Sequence, residues 1–170
     1  DRNQSTLVRD SNVTAVSCGN SHTVFMLADG SVWSMGKNER GQLGVGGYSG
    51  SGTPRKLLDN GAVSIGTGFD NTYYLMHNGE LWGVGANRDG QLGIEPSLTP
   101  EGRRDIPVKI ASDVHRFASG GWSLVYAGDD GRLWGLGYTG LSQFAIDEPI
   151  SVYEPQTLLG ITADRIEVHH

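Results

Sequence analysis

Cysteine and basic residues are scarce in this chain of 170 residues. Cys18 is the only cysteine, which excludes an internal disulfide framework and a cysteine-based zinc site. Thirteen Lys and Arg oppose 19 Asp and Glu, so the formal net charge is −6 at pH 7. The basic stripe that a phosphate backbone requires is missing, so we expect no direct nucleic-acid binding. The longest stretch without a charged residue, 11–28, is too polar to predict a membrane-spanning helix.

Motifs of known catalytic sites are also missing. The sequence contains no nucleophile elbow, no H-E-x-x-H pair, no P-loop and no calcium-binding loop. The stretch 135–140 has the spacing G-x-G-x-x-G, but a dinucleotide site needs a following helix, and this segment has a β pattern. The acidic pair Asp129-Asp130 is typical of a turn. We therefore predict no enzymatic activity, no catalytic residue, no cofactor and no metal site.

Glycine, in contrast, is abundant: the chain has 26 glycines and only 6 prolines, a ratio that favours many tight turns. The glycines mark an internal repeat whose best-matched parts are 19–36, 68–85 and 120–137. In each copy the first glycine precedes a turn glycine by 11 residues, a tryptophan follows the turn glycine by three, and another glycine follows it by six. Such self-similarity at a period of about 50 residues predicts a repeat architecture.

Each repeat has the pattern of a β-hairpin. Asp29-Gly30, Asn78-Gly79 and Asp130-Gly131 separate apolar runs, which predicts a type I′ turn at each position. A further short strand precedes each copy, and another is expected to follow the proline of each copy, at Pro54 and its counterparts. Four short strands in about 50 residues, with no sustained helical period, predict one blade of a β-propeller per repeat.

The order Gly-x-x-His at Gly19, Asp-Gly-x-Val-Trp-x-x-Gly at Asp29, and Asn-x-x-Gly-Gln-Leu-Gly at Asn38 resembles the regulator of chromosome condensation repeat. The resemblance covers almost the whole chain, from about residue 6 to residue 168. The histidine becomes Asn71 and Ser123 in the later copies, and the third copy replaces Gly-Gln-Leu-Gly by the residues 142–145. The resemblance implies an all-β fold: about three blades of four antiparallel strands with partial flanking strands, an incomplete ring of a seven-bladed propeller. We place the repeats at 13–61, 62–113 and 114–162, with a partial fourth repeat at 163–170.

Residues that recur at fixed repeat positions are assigned to the structural core. We expect the repeated tryptophans to pack blade against blade rather than to form a ligand cage. We expect His22 and the glutamines of the Gly-Gln-Leu-Gly turns to make structural hydrogen bonds rather than to act in catalysis. The predicted core residues are Trp33, Trp82, Trp134, Gly30, Gly79 and Gly131.

Function in repeat proteins lies where the copies differ, in the loops that the common scaffold presents. Charged and aromatic residues in these loops suit recognition of a protein partner. The predicted partner-binding residues are Asn38, Glu39, Arg40, Tyr48, Asn87, Arg88, Asp89, Arg103, Arg104, Tyr138 and Phe144.

Three functional interpretations follow. The first is a protein-interaction or scaffold module, part of a larger propeller, whose partner is another protein or the remaining blades. The second, implied by the resemblance, is a regulator that promotes nucleotide exchange on a small GTPase. No residue of this chain can be assigned to that activity. The third is an isolated fragment that closes a ring by self-assembly into a homo-oligomer. The composition leans towards a bacterial secreted or cell-surface origin, and otherwise a cytoplasmic one.

Overall fold

The computed structural model describes residues 7–8, 12–140 and 151–162, and within them the chain forms three antiparallel sheets of four strands each. The first sheet contains β1 (Val13–Cys18), β2 (His22–Leu27), β3 (Val32–Gly36) and β4 (Ser51–Leu58). The second contains β5 (Ala62–Thr67), β6 (Asn71–Met76), β7 (Leu81–Ala86) and β8 (Arg103–Ala111). The third contains β9 (Val114–Gly120), β10 (Ser123–Gly128), β11 (Arg132–Tyr138) and β12 (Ser151–Thr162). Two single-turn 3-10 helices, Pro96–Leu98 and Pro100–Gly102, interrupt the β7–β8 loop. The predicted all-β fold of four-stranded blades is confirmed.

The three sheets are arranged as blades around a common axis. The first strands of the blades, β1, β5 and β9, contact one another in order, so they lie innermost. Because successive strands run in opposite directions, each blade has two loops at one end and a hairpin at the other. We call the first end the loop rim (residues 19–21, 37–50, 68–70, 87–102, 121–122 and 139–140) and the other the hairpin rim (residues 28–31, 59–61, 77–80, 112–113 and 129–131).

The hairpin turns differ from the predicted type I′ turn. The Gly30 amide donates to the Leu27 carbonyl, and the Leu27 amide donates to the Ser31 carbonyl, which encloses a three-residue loop. Gly30 has φ +76, whereas Asp29 is not among the positive-φ residues, so the turn is type I followed by a left-handed glycine. The aspartate is favoured for another reason: its Oδ1 accepts a hydrogen bond from the Ser31 amide at 2.9 Å. The other two hairpins repeat this geometry.

The prolines lie within the outer strands rather than before them, which corrects the predicted start of these strands. Pro54 falls inside β4, between residues that pair with Ser34 and with Gly36, where the register shifts. Pro107 and Pro155 occupy the matching irregularities of β8 and β12. An outer strand tolerates proline because one of its edges forms no ladder, so the missing N–H breaks no sheet hydrogen bond there.

The cores lie between blades. One core joins Val24, Met26 and Val32 of the first blade to Tyr74 of the second, and half-buried Trp82 packs against it. A second core joins the second blade to the third, and Trp134 packs against it. It contains Tyr73, Leu75, Leu81, Leu92, Leu124, Tyr126 and Leu136. Each of these two tryptophans thus faces the blade that precedes it.

The ring is incomplete, so two blade faces form flanks. Side chains alternate along a strand, which places Phe25 and Trp33 on the face of the first blade turned away from the second. On the far face of the third blade, Ala127, Leu133 and Leu158 form a small cluster of their own. Neither flank packs against a further blade within the described residues.

Candidate partner-binding rim

Two of the predicted contact residues, Asn38 and Asn87, are buried. The Asn38 amide nitrogen donates to the carbonyls of Gly47 and Ser49, and its Oδ1 accepts from the Leu43 amide. Asn87 makes the matching bonds in the second blade, donating to the Ile94 carbonyl and accepting from the Leu92 amide. A side chain that satisfies loop backbone in this way shapes the rim and is not available at its surface.

The glutamines of the Gly-Gln-Leu-Gly turns are also buried and hold these turns, as predicted. Gln42 Oε1 accepts from the Arg40 amide, and its Nε2 reaches Asp70 of the next blade at 3.3 Å. For Gln91 of the second blade, the residue of the next blade that matches Asp70 is Trp122, whose side chain offers no acceptor, and the Gln91 side chain instead donates to Asp89. The first of these turns is therefore bonded to the next blade, and the hydrogen bonds within both turns give the loop rim a rigid base.

Tyr48 and Arg103, both predicted contact residues, pack on each other across the first two blades. The Arg103 guanidinium lies 3.9 Å from the centre of the Tyr48 ring. It also donates to the Glu39 backbone carbonyl at 2.5 Å and forms an ion pair with Glu101. A cation over an aromatic face is stabilising, so this group joins the blades. Tyr48 is nevertheless 36% exposed.

An aromatic cluster that sequence reasoning missed lies on the loop rim of the second and third blades. Trp122 makes edge-to-face contacts with Phe69 at 4.8 Å and with Tyr138 at 5.9 Å between ring centres. Trp122 is 49% exposed and Phe69 is 41% exposed. Of these three, only Tyr138 was a predicted contact residue. The signal that could have identified Trp122 is its repeat position, where the other copies carry Ser21 and Asp70.

Backbone hydrogen bonds hold this aromatic cluster in place. The Phe69 amide donates to the Gly121 carbonyl at 2.7 Å, and the Asn20 amide donates to the Phe69 carbonyl at 3.0 Å. The Tyr138 amide donates to the Trp122 carbonyl at 3.1 Å. The three rings are therefore attached to backbone that is fixed both within and between blades, which limits the entropy lost on binding.

The remaining candidates have varied environments. Arg88 is exposed, and Glu39 pairs with Lys37 at the surface. Asp89 is partly buried and accepts a hydrogen bond from Ser151 of the third blade at 3.4 Å. Arg40 and Arg104 are partly exposed, and Phe144 lies outside the described residues.

His22 has a buried environment that suits a structural role. Its Nε2 lies 3.1 Å from the Thr72 hydroxyl, which in turn donates to the Gln42 carbonyl at 2.7 Å. The hydroxyl proton is thus engaged, so the imidazole is the donor to Thr72. Burial lowers the pKa of His22, against smaller opposite effects of the Asn71 backbone and Asp70. The neutral ring joins the first blade to the second.

Over the described residues, no group of three or more His, Cys, Asp or Glu side chains is arranged to hold a metal ion. In the same part of the chain, none of the helices combines the length and the apolar character needed to cross a membrane.

Comparison with known proteins shows what the chain is similar to. Two models of the regulator of chromosome condensation (RCC1) repeat match residues 13–42 and 29–73. Among solved structures, human WBSCR16 is 28% identical with a TM-score of 0.71, over 86% of this chain.

Two yeast structures are similar in fold. One is the structure of Kap60 bound to yeast RCC1 (Prp20), with 19% identity, a TM-score of 0.74 and 92% of this chain covered. The other is Prp20p from Saccharomyces cerevisiae, described with its binding properties to Gsp1p and histones, with 19% identity, a TM-score of 0.71 and 88% covered. This chain spans 39% of the length of each of these three structures.

Proposed function

Since this chain carries regulator of chromosome condensation (RCC1) repeats folded as propeller blades, we propose that it is a protein-interaction segment of a larger propeller. Its partner binds at the loop rim, with Trp122 as the central anchor. The observation that supports this proposal is the exposed aromatic cluster of Phe69, Trp122 and Tyr138.

The exposed tryptophan, Trp122, is the side chain that most directly indicates a binding role. Large aromatic side chains are mostly buried in monomeric proteins, and contiguous exposed apolar surface marks interaction sites. Tryptophan, tyrosine and arginine are the residues that most often dominate binding energy at protein interfaces. The Tyr48–Arg103 pair lies on the same rim and supplies further groups of this kind. Exposed charges such as Arg88 and Glu39 provide the polar surroundings that a typical interface has.

The test is a substitution that another repeat already carries. Trp122→Ser places at this position the residue that the first repeat has as Ser21, so the fold is expected to be retained. Partners are captured by cross-linking with the native protein, and the affinity of each is measured for both forms. We expect Trp122→Ser to weaken binding by about 30-fold or more, the effect of losing an interface anchor.

Val63→Ala serves as the matched control, because Val63 is 54% exposed on the innermost strand β5, away from the loop rim. It should leave the affinity unchanged. Equal binding by the native protein and Trp122→Ser would exclude the loop rim as the interface. If a captured partner is a small GTPase, its rate of nucleotide release with and without this protein decides between simple binding and exchange activity.

The two uncovered flanks favour association of the chain with further protein. A buried aromatic side chain contributes a few kcal/mol, about 2–3, so a blade face left in water forfeits a large part of a typical stability. We expect the flanks to be covered by further blades, by a partner chain or by a second copy. Sedimentation of the 170-residue chain should therefore show species larger than its own mass of 18.2 kDa. A compact monomer of that mass would contradict this expectation.

A further inference from the structure

A cleft of about 570 Å³ lies at the hairpin rim between the second and third blades, opposite the loop rim. Its walls include Tyr126 and Trp134, whose rings are stacked with centres 6.4 Å apart. Asp113, Asp129 and Asp130 also line it. Aromatic faces and carboxylates together are the surroundings that organic cations prefer.

Comparison of the three repeats shows that this cleft lacks a cation that the other blades supply themselves. In the first blade Lys56 pairs with Trp33 across the strands, and its Nζ lies 5.3 Å from the centre of the indole ring. In the second blade Lys109 pairs with Trp82. In the third blade the residue paired with Trp134 is Thr157.

The indole N–H of the third blade also lacks the acceptor that the other blades provide. Trp33 Nε1 donates to the Ser31 hydroxyl at 3.1 Å, and Trp82 Nε1 donates to Glu80 at 3.2 Å. The residue at the matching position before Trp134 is Arg132, which has no acceptor in its side chain. Among the described residues, nothing accepts a hydrogen bond from the Trp134 indole.

Tyr126 provides a second unpaired group. Only 6% of this residue is exposed, and its hydroxyl makes no hydrogen bond within the described part of the chain. Burial, and secondarily the charge of Asp130, raise the pKa of Tyr126 to about 12, so the phenol is neutral and its oxygen can accept from an ammonium group.

The charges around the cleft are mostly negative. Asp129 lies 3.0 Å from His115 Nε2, with both side chains exposed. Asp130 accepts from the Arg132 amide and lies 3.6 Å from the Arg132 guanidinium, which extends into solvent. For Asp113, no ion pair is formed with any described residue. Three carboxylates thus line the cleft, and Arg132 is the one permanent cation paired with any of them, which leaves the cleft attractive to a positive charge.

We propose that this cleft binds a basic segment of a protein, with a lysine or arginine side chain over Trp134 and a main-chain carbonyl accepting from its indole N–H. The carboxylates and the Tyr126 hydroxyl bind the cationic group. A peptide residue supplies both missing partners at once, whereas a free polyamine supplies the cation alone. This site lies on the opposite rim from the proposed partner-binding rim and does not depend on it.

The experiment follows the indole N–H signals of the four tryptophans by NMR during titration with a short lysine-rich peptide, acetylated and amidated. We expect the Trp134 signal, assigned from Trp134→Phe, to move downfield as it gains an acceptor, while those of Trp33 and Trp82 stay in place. A peptide with norleucine replacing lysine should not bind, and an arginine-rich peptide should.

Thr157→Lys restores the cation that the other blades have and should weaken binding about tenfold or more. Gln156→Lys is the matched control: it adds the same charge one residue earlier, on the opposite face of β12, and should change the affinity less than about twofold. An equal loss of peptide affinity in the two variants would mean that the added lysine acts only by general charge repulsion, which would overturn the proposal. Binding of the norleucine peptide, or spermine binding as tightly as the lysine peptide, would also overturn it.

Discussion

Gly85→Ala is expected to lower the free energy of unfolding by about 2–4 kcal/mol, a large part of the 5–15 kcal/mol typical of a domain. Gly85 has φ +117, in a region that side chains rarely adopt. A β-carbon built there would lie only 2.2 Å from the Asp70 carbonyl oxygen, which is backbone and cannot rotate away. The same carbonyl accepts from the Ala86 amide at 3.0 Å, so relieving the clash also strains that bond. Urea unfolding measures the change as a shift in the midpoint.

Gly52→Ala is the control for this variant. Gly52 lies exposed on the outer strand β4 without positive φ, and a β-carbon there would contact nothing within 4 Å. It should change stability by only a few tenths of a kcal/mol, in either direction. If Gly85→Ala unfolds at the same urea concentration as Gly52→Ala, the close approach of the Asp70 carbonyl does not restrict residue 85 to glycine.

Leu92→Ala is expected to destabilise the protein by about 2–5 kcal/mol, the usual cost of removing a fully buried leucine. Leu92 is 0% exposed and lies in the core that joins the second and third blades. Its turn is held from both sides, because Asn87 accepts from the Leu92 amide and the Tyr73 hydroxyl donates to the Gln91 carbonyl. The surrounding backbone therefore has little freedom to close the cavity. Thermal unfolding and urea unfolding should agree on the loss.

Leu98→Ala makes the same change in chemistry six residues later in the same loop. Leu98 is 69% exposed, so its removal should leave the free energy of unfolding within about 0.5 kcal/mol of the native value. A similar loss of unfolding free energy in both variants would mean that the loop stabilises the protein through its length and backbone propensity rather than through the burial of Leu92.

The sequence was sufficient for the strands, because two local signals agree in every repeat. Apolar runs such as 23–27 alternate on two faces of a blade, and an Asp-Gly or Asn-Gly step ends each run. The local signal did not fix the turn type. Asp-Gly suits a type I′ turn and also a type I turn followed by a left-handed glycine, and the aspartate hydrogen bond to Ser31 favours the second. Proline is tolerated within an outer strand because one edge of that strand is unpaired, and the sequence does not show which strand lies at the edge.

The repeat pattern predicted which positions recur but not which loop residues reach the surface. Asn38 and Arg40 are two residues apart in a polar turn, yet Asn38 is buried because the following loop folds back over it. Residues 47–49 form the part of the loop that covers Asn38, and no repeating pattern in the sequence predicts their conformation. The same limit applies to Arg103, which begins β8 and lies over Tyr48 of a loop 55 residues earlier in the sequence.

By itself, then, the sequence determined a run of four-stranded blades, since spacing and turn residues are local properties repeated three times. Only the tertiary structure decided which side chains meet between blades, because that depends on the angle and register of one sheet against the next. Phe69, Trp122 and Tyr138 come together across two blades in this way. The pairing of Trp134 with Thr157 likewise depends on the register of the outer strand, which shifts on both sides of this pair.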